Sequence, residues 1–359
     1  MLLALLGACL ARPGATPASE SASLAGDTGE AGAVLFEGGE VVGLGRVDVL
    51  ARDGVIVAVG ADLDAAGATS VDVSGRWLVP AFIDSHVHLA YLPAEEELAD
   101  NGVAGVVDLA APMSFLAAEH PSLRVIASGP MVTASGGYPT QGWGAGGYGL
   151  EVTNAAEAEA AVDTLKHAGA GVIKLPVTPP PQLDEGVLAA AATRAHARGL
   201  RVASHALDDD EAAVAAAAGA DVLAHTPTGS LSASTIEAWK GKAVIGTLAA
   251  FGGSDRTVGN LAALHAAGAR VLYGTDFGNR RTAGIDASEL ALMGLAGMSP
   301  GEILASGTRE PADYWDFADL GAIEVGRSAS LLVLDRDPLL DPLSLAEPTE
   351  VWSRGRRRR

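Results

Sequence analysis

The chain has 359 residues, and its 44 Asp and Glu residues outnumber its 24 Lys and Arg residues, which gives a formal net charge of -20. Such an acidic surface repels nucleic acid and anionic membrane, so neither is an expected binding partner. No stretch of the sequence is apolar for long enough to span a bilayer. The length allows a large buried core, and the composition therefore fits a soluble enzyme.

The N-terminus carries the only cysteine, Cys9, at the end of the short apolar run Leu6–Cys9. A stretch rich in Ala, Ser, Pro and Gly follows to about residue 32. This arrangement looks like a bacterial lipoprotein signal, in which a lipid on Cys9 anchors the protein to a membrane and the following stretch is a flexible tether. We therefore predict that residues 1–32 are a leader and that the protein lies in the bacterial cell envelope or periplasm. A disordered leader on a cytoplasmic protein is the alternative.

Short β-prone segments separated by glycine-containing turns occur at both ends of the remaining chain. They lie near residues 33–36, 47–50, 55–59, 71–73, 322–326 and 330–335. We expect residues 33–80 and 319–359 to form one small β-sandwich domain, with residues 81–318 as a continuous insert. The arginine-rich tail 354–359 could suggest nucleic acid, but we interpret it as the solvated end of the last strand because the rest of the chain is acidic.

The insert begins with an apolar run, Leu78–Leu89, that contains His86 and His88. Side chains on a strand alternate between its two faces, so residues two apart point the same way. Both imidazoles therefore aim at one point, as two ligands of one metal ion must.

Four later segments share a local pattern. Each has a glycine that can end a helix in the left-handed conformation, followed by a short aliphatic run that is typical of a buried strand. Each run ends on a residue that can hold a metal: Lys174 (once modified), His205, His225 and Asp276.

Helices alternating with short buried strands predict βα units and a parallel sheet. Metal ligands at the C-terminal ends of successive strands are the active-site arrangement of a (β/α)8 TIM-like barrel, so the predicted fold class is α/β. The eight strands are predicted near residues 79–88, 103–109, 123–128, 171–175, 200–206, 221–226, 243–248 and 270–276. Alanine-rich stretches at residues 154–168, 184–198 and 210–218 are predicted helices.

On these motifs the chain, from about residue 33 onward, resembles the metal-dependent amidohydrolase superfamily, in its imidazolonepropionase-like and Xaa-Pro-dipeptidase-like branch. The resemblance implies a barrel together with a β-sandwich that is formed by the two ends of the polypeptide chain. It also implies that His86 and His88 bind the buried metal and that His205 and His225 hold a second one. Lys174 would be carboxylated to bridge the two metals. Asp276 would bind the first metal and shuttle protons.

The chemistry explains why these residue types are needed. Neutral imidazoles and carboxylates bind Zn²⁺ while leaving positions open for water, whose pKa then falls to about 7. An ammonium group cannot ligate a metal, so Lys174 would have to lose its proton in a buried site and add CO2 to become an anionic carbamate. Asp276 would take the proton of the attacking hydroxide and deliver it to the leaving nitrogen. We expect two divalent ions and predict that they are zinc.

Several residues have alternative interpretations. Asp84 has the strand parity of the two histidines and either supports them or caps a turn. The loop containing Tyr138, Trp143 and Tyr148 follows the third strand and either covers the substrate or is a structural Ω-loop. Tyr138 and Arg280 are predicted substrate contacts, the latter for a carboxylate, with a surface role as the alternative for Arg280. The remaining histidines, including His120, are interpreted as structural or exposed.

We predict from these observations a metal-dependent hydrolase of an amide C–N bond, with an N-acyl amino acid or dipeptide as the substrate. A cyclic amide, as in imidazolonepropionase, is the second substrate class. A noncatalytic scaffold that keeps the fold without metals is the alternative of a different kind. The expected partner is a small-molecule amide, and an oligomer is compatible with the sequence.

Overall fold

A computed structural model describes residues 32–359 of the chain. The predicted lipidation site Cys9 and nearly all of the predicted leader lie outside these residues, so both stay predictions. Between residues 32 and 359, the helices are all too short or too polar to be membrane-spanning segments.

The first seven strands and the last three are short and lie at the two ends of the described chain. They are β1 (Val34–Glu37), β2 (Glu40–Val41), β3 (Gly45–Arg46), β4 (Asp48–Arg52), β5 (Val55–Gly60), β6 (Thr69–Asp72) and β7 (Trp77–Pro80), and at the other end β18 (Leu331–Leu334), β19 (Glu350–Ser353) and β20 (Arg356–Arg357). One sheet has the order β5-β4-β1-β6 and another has the order β20-β19-β18-β7-β2-β3.

Strands from both ends of the chain pair directly in the larger of these sheets. β18 runs antiparallel to β7, with Leu332 opposite Val79. Side chains of both ends also share one hydrophobic cluster, in which the rings of Phe36 and Trp352 meet edge to face with centroids 4.9 Å apart. A separate sandwich domain remains a prediction, because the described residues 32–359 belong to a single compact unit.

One predicted terminal strand is wrong. Residues 322–326 form a turn, since Gly326 has a φ of 92° and Arg327 N–H donates to the carbonyl of Glu324 at 3.1 Å. The Arg327 guanidinium adds a hydrogen bond of 2.7 Å to the carbonyl of Leu320. A short apolar run is therefore not sufficient for a strand where a left-handed glycine reverses the chain.

Ten strands lie between these ends, and half of them are fully buried. They are β8 (Phe82–Val87), β9 (Val103–Asp108), β10 (Arg124–Ala127), β11 (Met131–Ala134), β12 (Gly149–Val152), β13 (Val172–Pro176), β14 (Arg201–His205), β15 (Val222–Leu223), β16 (Ala243–Ile245) and β17 (Arg270–Leu272). They form three parallel sheets with the orders β10-β9-β8, β11-β12 and β13-β14-β15-β16-β17. Fully buried parallel strands with helices between them confirm the predicted α/β class.

The predicted strands exist, but several differ in length. The predicted strand 79–88 is divided between β7 and β8, because Pro80 pairs with Leu331 in the terminal sheet. The strands predicted to end at residues 226, 248 and 276 end at Leu223, Ile245 and Leu272. The two strands β11 and β12 were not predicted.

Backbone hydrogen bonds also connect the first of these strands with the residues after the last one. Ser85 N–H donates to the carbonyl of Tyr273 and Asp276 N–H to the carbonyl of His86, each at 2.9 Å. This contact brings the end of β8 beside the segment that follows β17. A closed eight-stranded barrel nevertheless stays a prediction, because the strand pairing gives separate sheets.

Helices connect the strands as the alanine-rich segments predicted. They are α1 (Glu95–Asp100), α2 (Ala155–Ala168), α3 (Glu185–Ala197), α4 (Asp209–Ala217), α5 (Ala233–Ala238), α6 (Asp255–Ala266), α7 (Ala287–Leu295), α8 (Pro300–Gly307) and α9 (Arg309–Trp315). Local capping sets their ends: Asp208 and Glu211 form a capping box at the start of α4, and Gly169 ends α2 in the left-handed conformation with a φ of 106°.

Candidate metal centre

The His-x-His motif lies at the C-terminal end of β8 and is fully buried. His86 belongs to the strand and His88 follows it directly. Their Nε2 atoms are 3.3 Å apart, so both imidazoles point to one place, as the strand parity predicts. The carbonyl of Ala224 accepts a hydrogen bond from His86 Nδ1 at 2.7 Å, and this leaves the Nε2 lone pair of His86 free for a metal.

Asp276 joins this pair. Its Oδ1 lies 3.6 Å from His86 Nε2 and 3.0 Å from His88 Nε2. The potential ligand atoms of the three side chains all lie within 4.8 Å of one another. Asp276 was predicted to end a strand, but β17 ends at Leu272 and Asp276 lies beyond it, with a φ of 57°. A non-glycine residue in this left-handed region is strained, and such strain often occurs at functional sites.

His205 and His225 form the neighbouring part of the centre. His205 ends β14, whereas His225 lies two residues beyond β15, so the prediction that it ends a strand is wrong in this detail. The ring of His225 lies 4.4 Å from that of His86 and 4.9 Å from that of His205, measured between centroids. Its Nδ1 is 3.1 Å from the hydroxyl of Thr247, which orients the ring.

Lys174 lies within β13 and is completely buried. Its Nζ has no hydrogen-bond partner, and burial lowers the pKa of the amine to about 7, with nearby Asp276 acting in the opposite direction. A buried ammonium without a partner is costly. Lys174 is therefore easily deprotonated, which is the condition for adding CO2.

The protonation states of the buried histidines favour the binding of a cation. Burial holds the pKa of His86 and His225 well below the usual range and lowers that of His205 to about 3, so these imidazoles are neutral and keep a lone pair. Nδ1 of His88 and Nδ1 of His205 are also buried without a partner. Neutral imidazoles, an aspartate and unpartnered buried nitrogens are a donor set that fits divalent metal ions. We call these six residues the ligand floor: His86, His88, Lys174, His205, His225 and Asp276.

Asp84 forms hydrogen bonds both along its own strand and to the segment that carries Asp276, which fits both of its predicted roles. Its Oδ1 accepts the N–H groups of His86 and Thr275 at 3.0 Å each, and its Oδ2 accepts the Thr275 hydroxyl at 2.5 Å. Burial raises the pKa of this carboxyl to about 7. Asp84 thus connects β8 to the segment that carries Asp276, and its strand parity with His86 was the signal for it.

Asp108 is a buried residue that the sequence interpretation missed. It ends β9, and its oxygens accept the N–H groups of Ala110 at 3.0 Å and Ala90 at 3.2 Å. Burial raises the pKa of the carboxyl to about 6, whereas the nearby His88 opposes that shift. An acidic residue at the C-terminal end of an apolar strand was the available signal.

Aromatic side chains lie over the ligand floor. The ring of Tyr138 stacks on His205 with centroids 4.7 Å apart, and that of Trp143 lies 5.0 Å from His88. Trp143 Nε1 donates to the Tyr138 hydroxyl at 3.1 Å, and burial raises the pKa of this hydroxyl to about 12. Tyr91 and Tyr148 surround Trp143 at 5.7 and 5.4 Å. We call Tyr91, Tyr138, Trp143 and Tyr148 the aromatic cover.

Arg280 follows Asp276 closely but is engaged with another acid. One of its terminal nitrogens, Nη2, lies 2.7 Å from Asp286 Oδ2, and the side chain is one-third exposed. Its backbone N–H donates to the carbonyl of Asp276 at 2.9 Å. The predicted contact with a substrate carboxylate would therefore require Arg280 to use its remaining donors or to leave Asp286.

His120 was expected to be exposed, but most of its side chain is inaccessible to solvent. Its Nδ1 lies 3.0 Å from Glu95 Oε2, and only 15% of its side chain is accessible.

The Amidohydrolase family model matches residues 77–358. The chain belongs to this family and is a hydrolase that acts on C–N bonds. The alternative of a noncatalytic scaffold therefore has no support.

Curated relatives match this amidohydrolase either over most of its length or over a short part of it. An uncharacterized protein of Mycobacterium tuberculosis is 28% identical, over 81% of this chain and 87% of the relative. Imidazolonepropionase of Mesorhizobium japonicum is 44% identical over only 14% of each chain, so that match is local.

Solved structures of other hydrolases share the fold. A Xaa-Pro dipeptidase with methionine in its active site has a TM-score of 0.77 and 19% identity, and the match covers 90% of this chain and 99% of the other. A putative prolidase from Bifidobacterium longum has a TM-score of 0.76 and 23% identity, over 92% and 95% of the two chains. At these identities the likeness establishes the fold and leaves the substrate open.

Proposed function

We propose that this amidohydrolase uses two divalent metal ions, bound at the ligand floor, to cleave the C–N bond of an amide. The observation that carries this proposal is the convergence of His86, His88 and Asp276, whose ligand atoms all lie within 4.8 Å. These three would hold one ion, and His205 and His225 would hold the other. Lys174, as a carbamate, would bridge them. Zinc is the ion that this mixture of imidazole and carboxylate favours.

The chain's own residues account for the proton transfers. Bound ions of this kind lower the pKa of water and polarise a carbonyl oxygen. Asp276 would accept a proton from the attacking water and donate it to the leaving nitrogen. Its carboxylate is held for this task by Asn279, whose Nδ2 donates to Oδ1 at 3.1 Å and to Oδ2 at 3.2 Å. The neutral histidines cannot replace it, since their free lone pairs would be directed at metal.

The proposed substrate is an N-acyl amino acid or a dipeptide. The fold shared with a Xaa-Pro dipeptidase and a prolidase supports this class. Tyr138 would contact the substrate beside His205, and Arg280 would pair with a substrate carboxylate. The local match to an imidazolonepropionase supports a cyclic amide as the second class.

The architecture that we propose around the site is the eight-stranded barrel, with the terminal sheets as a β-sandwich. The hydrogen bonds from Ser85 to Tyr273 and from Asp276 to His86 support closure between the first and last strands. The shared hydrophobic cluster of both chain ends supports the sandwich.

The predicted leader leads to a separate proposal, that Cys9 is lipidated and anchors the protein in the cell envelope. Native protein should then partition with membranes, and Cys9→Ser should release it. Soluble native protein with an intact Met1 would contradict this localisation and favour the cytoplasm.

Metal analysis of the purified protein, combined with a substrate panel, tests the function. We expect about two divalent ions per chain and turnover of dipeptides, N-acyl amino acids or lactams. Removal of the ions by a chelator should abolish turnover, and zinc should restore it. Active protein without bound metal would overturn the mechanism, whereas metal-containing protein that cleaves only lactams would select the second substrate class.

A further inference from the structure

One more buried acid, Glu289, lies outside the ligand floor and the interactions described so far. It belongs to α7 and is completely inaccessible to solvent. Its Oε2 accepts the N–H of Ala249 at 2.8 Å, whereas Oε1 is buried without a partner. Burial raises the pKa of this carboxyl to about 8. Burying this carboxyl group costs free energy of desolvation, and an apolar side chain would fill the same space without that cost. Its presence therefore requires an explanation.

The segment that Glu289 holds is the one that follows β16. A Cβ atom at Gly246 would collide with Glu289 Oε1, so the chain can approach the acid closely only with glycine at this position. Ala249, whose N–H is bonded to Glu289, begins a 3₁₀ turn that ends at Phe251. The carboxyl group therefore lies against Gly246 at one end of the stretch 246–249 and holds Ala249 at the other by a hydrogen bond.

Two residues of this segment contact the same ligand of the proposed metal site. The Thr247 hydroxyl is 3.1 Å from His225 Nδ1, and the ring of Phe251 lies 4.9 Å from that of His225. Thr247 has a φ of 49°, a conformation that a β-branched residue adopts only when its surroundings enforce it. Its N–H donates to the carbonyl of Gly274 at 3.0 Å, so the strained residue is held from several sides.

We infer that Glu289 is a positioning residue for His225: it fixes the segment 246–251 so that Thr247 and Phe251 set the orientation of that imidazole for metal binding. This inference rests on the proposed function, because it assumes that His225 is a metal ligand. Groups that orient a metal-bound histidine typically contribute about 10- to 100-fold to metal affinity. Glu289 would act on His225 indirectly, by holding the segment that carries Thr247.

Matched substitutions separate this role from a general contribution to the core. Glu289→Gln keeps a carbonyl oxygen for the N–H of Ala249 and resembles the protonated acid, so it should retain metal affinity. Glu289→Leu keeps the volume but removes the acceptor. Glu350 provides the control, since it is also a buried acid, bonded to Arg76 and Trp352 in the terminal sheet.

The measurement is metal affinity by competition with a chelator, together with the unfolding temperature of each metal-free variant. We expect Glu289→Leu to lower zinc affinity by about tenfold or more for one of the two ions. Glu350→Leu should lower the unfolding temperature and leave the affinity unchanged. Equal loss of affinity in both leucine variants, or unchanged affinity in Glu289→Leu, would overturn the inference.

Thr247→Ala gives an independent test, which also serves if Glu289→Leu does not fold. It removes the hydroxyl next to His225 and should lower zinc affinity to a similar extent. If Glu289 and Thr247 act through one segment, the double variant Glu289→Leu/Thr247→Ala should lose less affinity than the two single losses combined. Unchanged zinc affinity in Thr247→Ala would contradict the inference that Glu289 affects metal binding through Thr247 and His225. Wild-type protein that binds no metal would instead refute the proposed function itself.

Discussion

The ligand floor and the aromatic cover are adjacent, yet the sequence determines them in different ways. The floor is built from residues within, at the end of or just beyond buried strands, such as Lys174, His205 and His225. The cover is built from loops, one after β8 and one between β11 and β12, with Tyr91 40% exposed. Strand parity fixes the direction of a side chain. A loop side chain has no such constraint, and its position depends on the contacts that it makes.

This difference suggests a division of roles. The floor holds atoms that must meet within a few ångströms, so a small displacement should abolish chemistry. The cover contacts the histidines through ring faces and one hydrogen bond between Trp143 and Tyr138. Its interactions are weaker individually, and changes there should alter substrate binding more than chemistry. Four predictions test this division, from the largest expected effect to the smallest.

The largest effect is expected for Lys174→Ala. Removing the proposed bridge should eliminate most metal binding at one position and lower kcat/KM by roughly 10³-fold or more. Short carboxylates added to this variant should restore part of the activity, since they can occupy the space of the carbamate. Activity assays with and without formate or acetate, alongside metal analysis, check this.

Lys242→Ala is the matched control, because Lys242 donates to the carbonyl of Ala220 away from the floor. It should retain wild-type activity. Lys174→Ala with wild-type metal content and activity would exclude the bridging role.

Asp276→Asn should have the second largest effect. The change is nearly isosteric, so the fold should persist, but the amide lacks the basic oxygen that accepts a proton. We expect kcat to fall by roughly 10²-fold or more. The measurement is kcat with metal content determined on the same sample. An Asp276→Asn variant that is fully metallated and has undiminished kcat would assign the proton transfer to another residue.

Much of the floor could be predicted from sequence because local rules apply to it. His86 and His88 converge as strand parity requires. His225 and Asp276 were found through the apolar runs before them, but their positions beyond the strands were not predictable. The reason is a tertiary one: Asp276 adopts a φ of 57° while its N–H bonds to His86, and no local sequence signal specifies such a partner.

Contacts between residues far apart in sequence also explain the remaining differences between the sequence predictions and the structure. Glu289 resembles a surface acid in sequence, and only the folded chain reveals that it is buried. Arg280 was predicted to pair with a substrate carboxylate, and the sequence does not show that Asp286 lies against it. Residues 322–326 have the composition of a strand, but Gly326 reverses the chain there with a φ of 92°.

A smaller effect is expected for Asp84→Asn. Asp84 accepts three hydrogen bonds from His86 and Thr275, and an asparagine oxygen can accept only part of them. The connection between β8 and Asp276 should loosen, with a loss of about 10-fold in metal affinity. Chelator competition measures this loss. Asp163→Asn, at an acid paired with Arg194 and Arg198 on the surface, is the control that should not change affinity. Unchanged affinity in Asp84→Asn would return Asp84 to the role of a turn cap.

The smallest effect is expected in the aromatic cover, for Trp143→Ala. Trp143 packs on His88 and donates to Tyr138, and an aromatic pair contributes about 0.5–1.5 kcal/mol beyond its buried area. If the cover also packs on the substrate, KM should rise by about 2- to 10-fold while metal content stays unchanged. Trp352→Ala in the terminal sheet removes a comparable ring pair, with Phe36, and should leave KM unaltered. A Trp143→Ala variant that loses metal would show that the cover helps to hold His88 and belongs functionally to the floor, whereas unchanged KM and metal content would leave the loop a structural one.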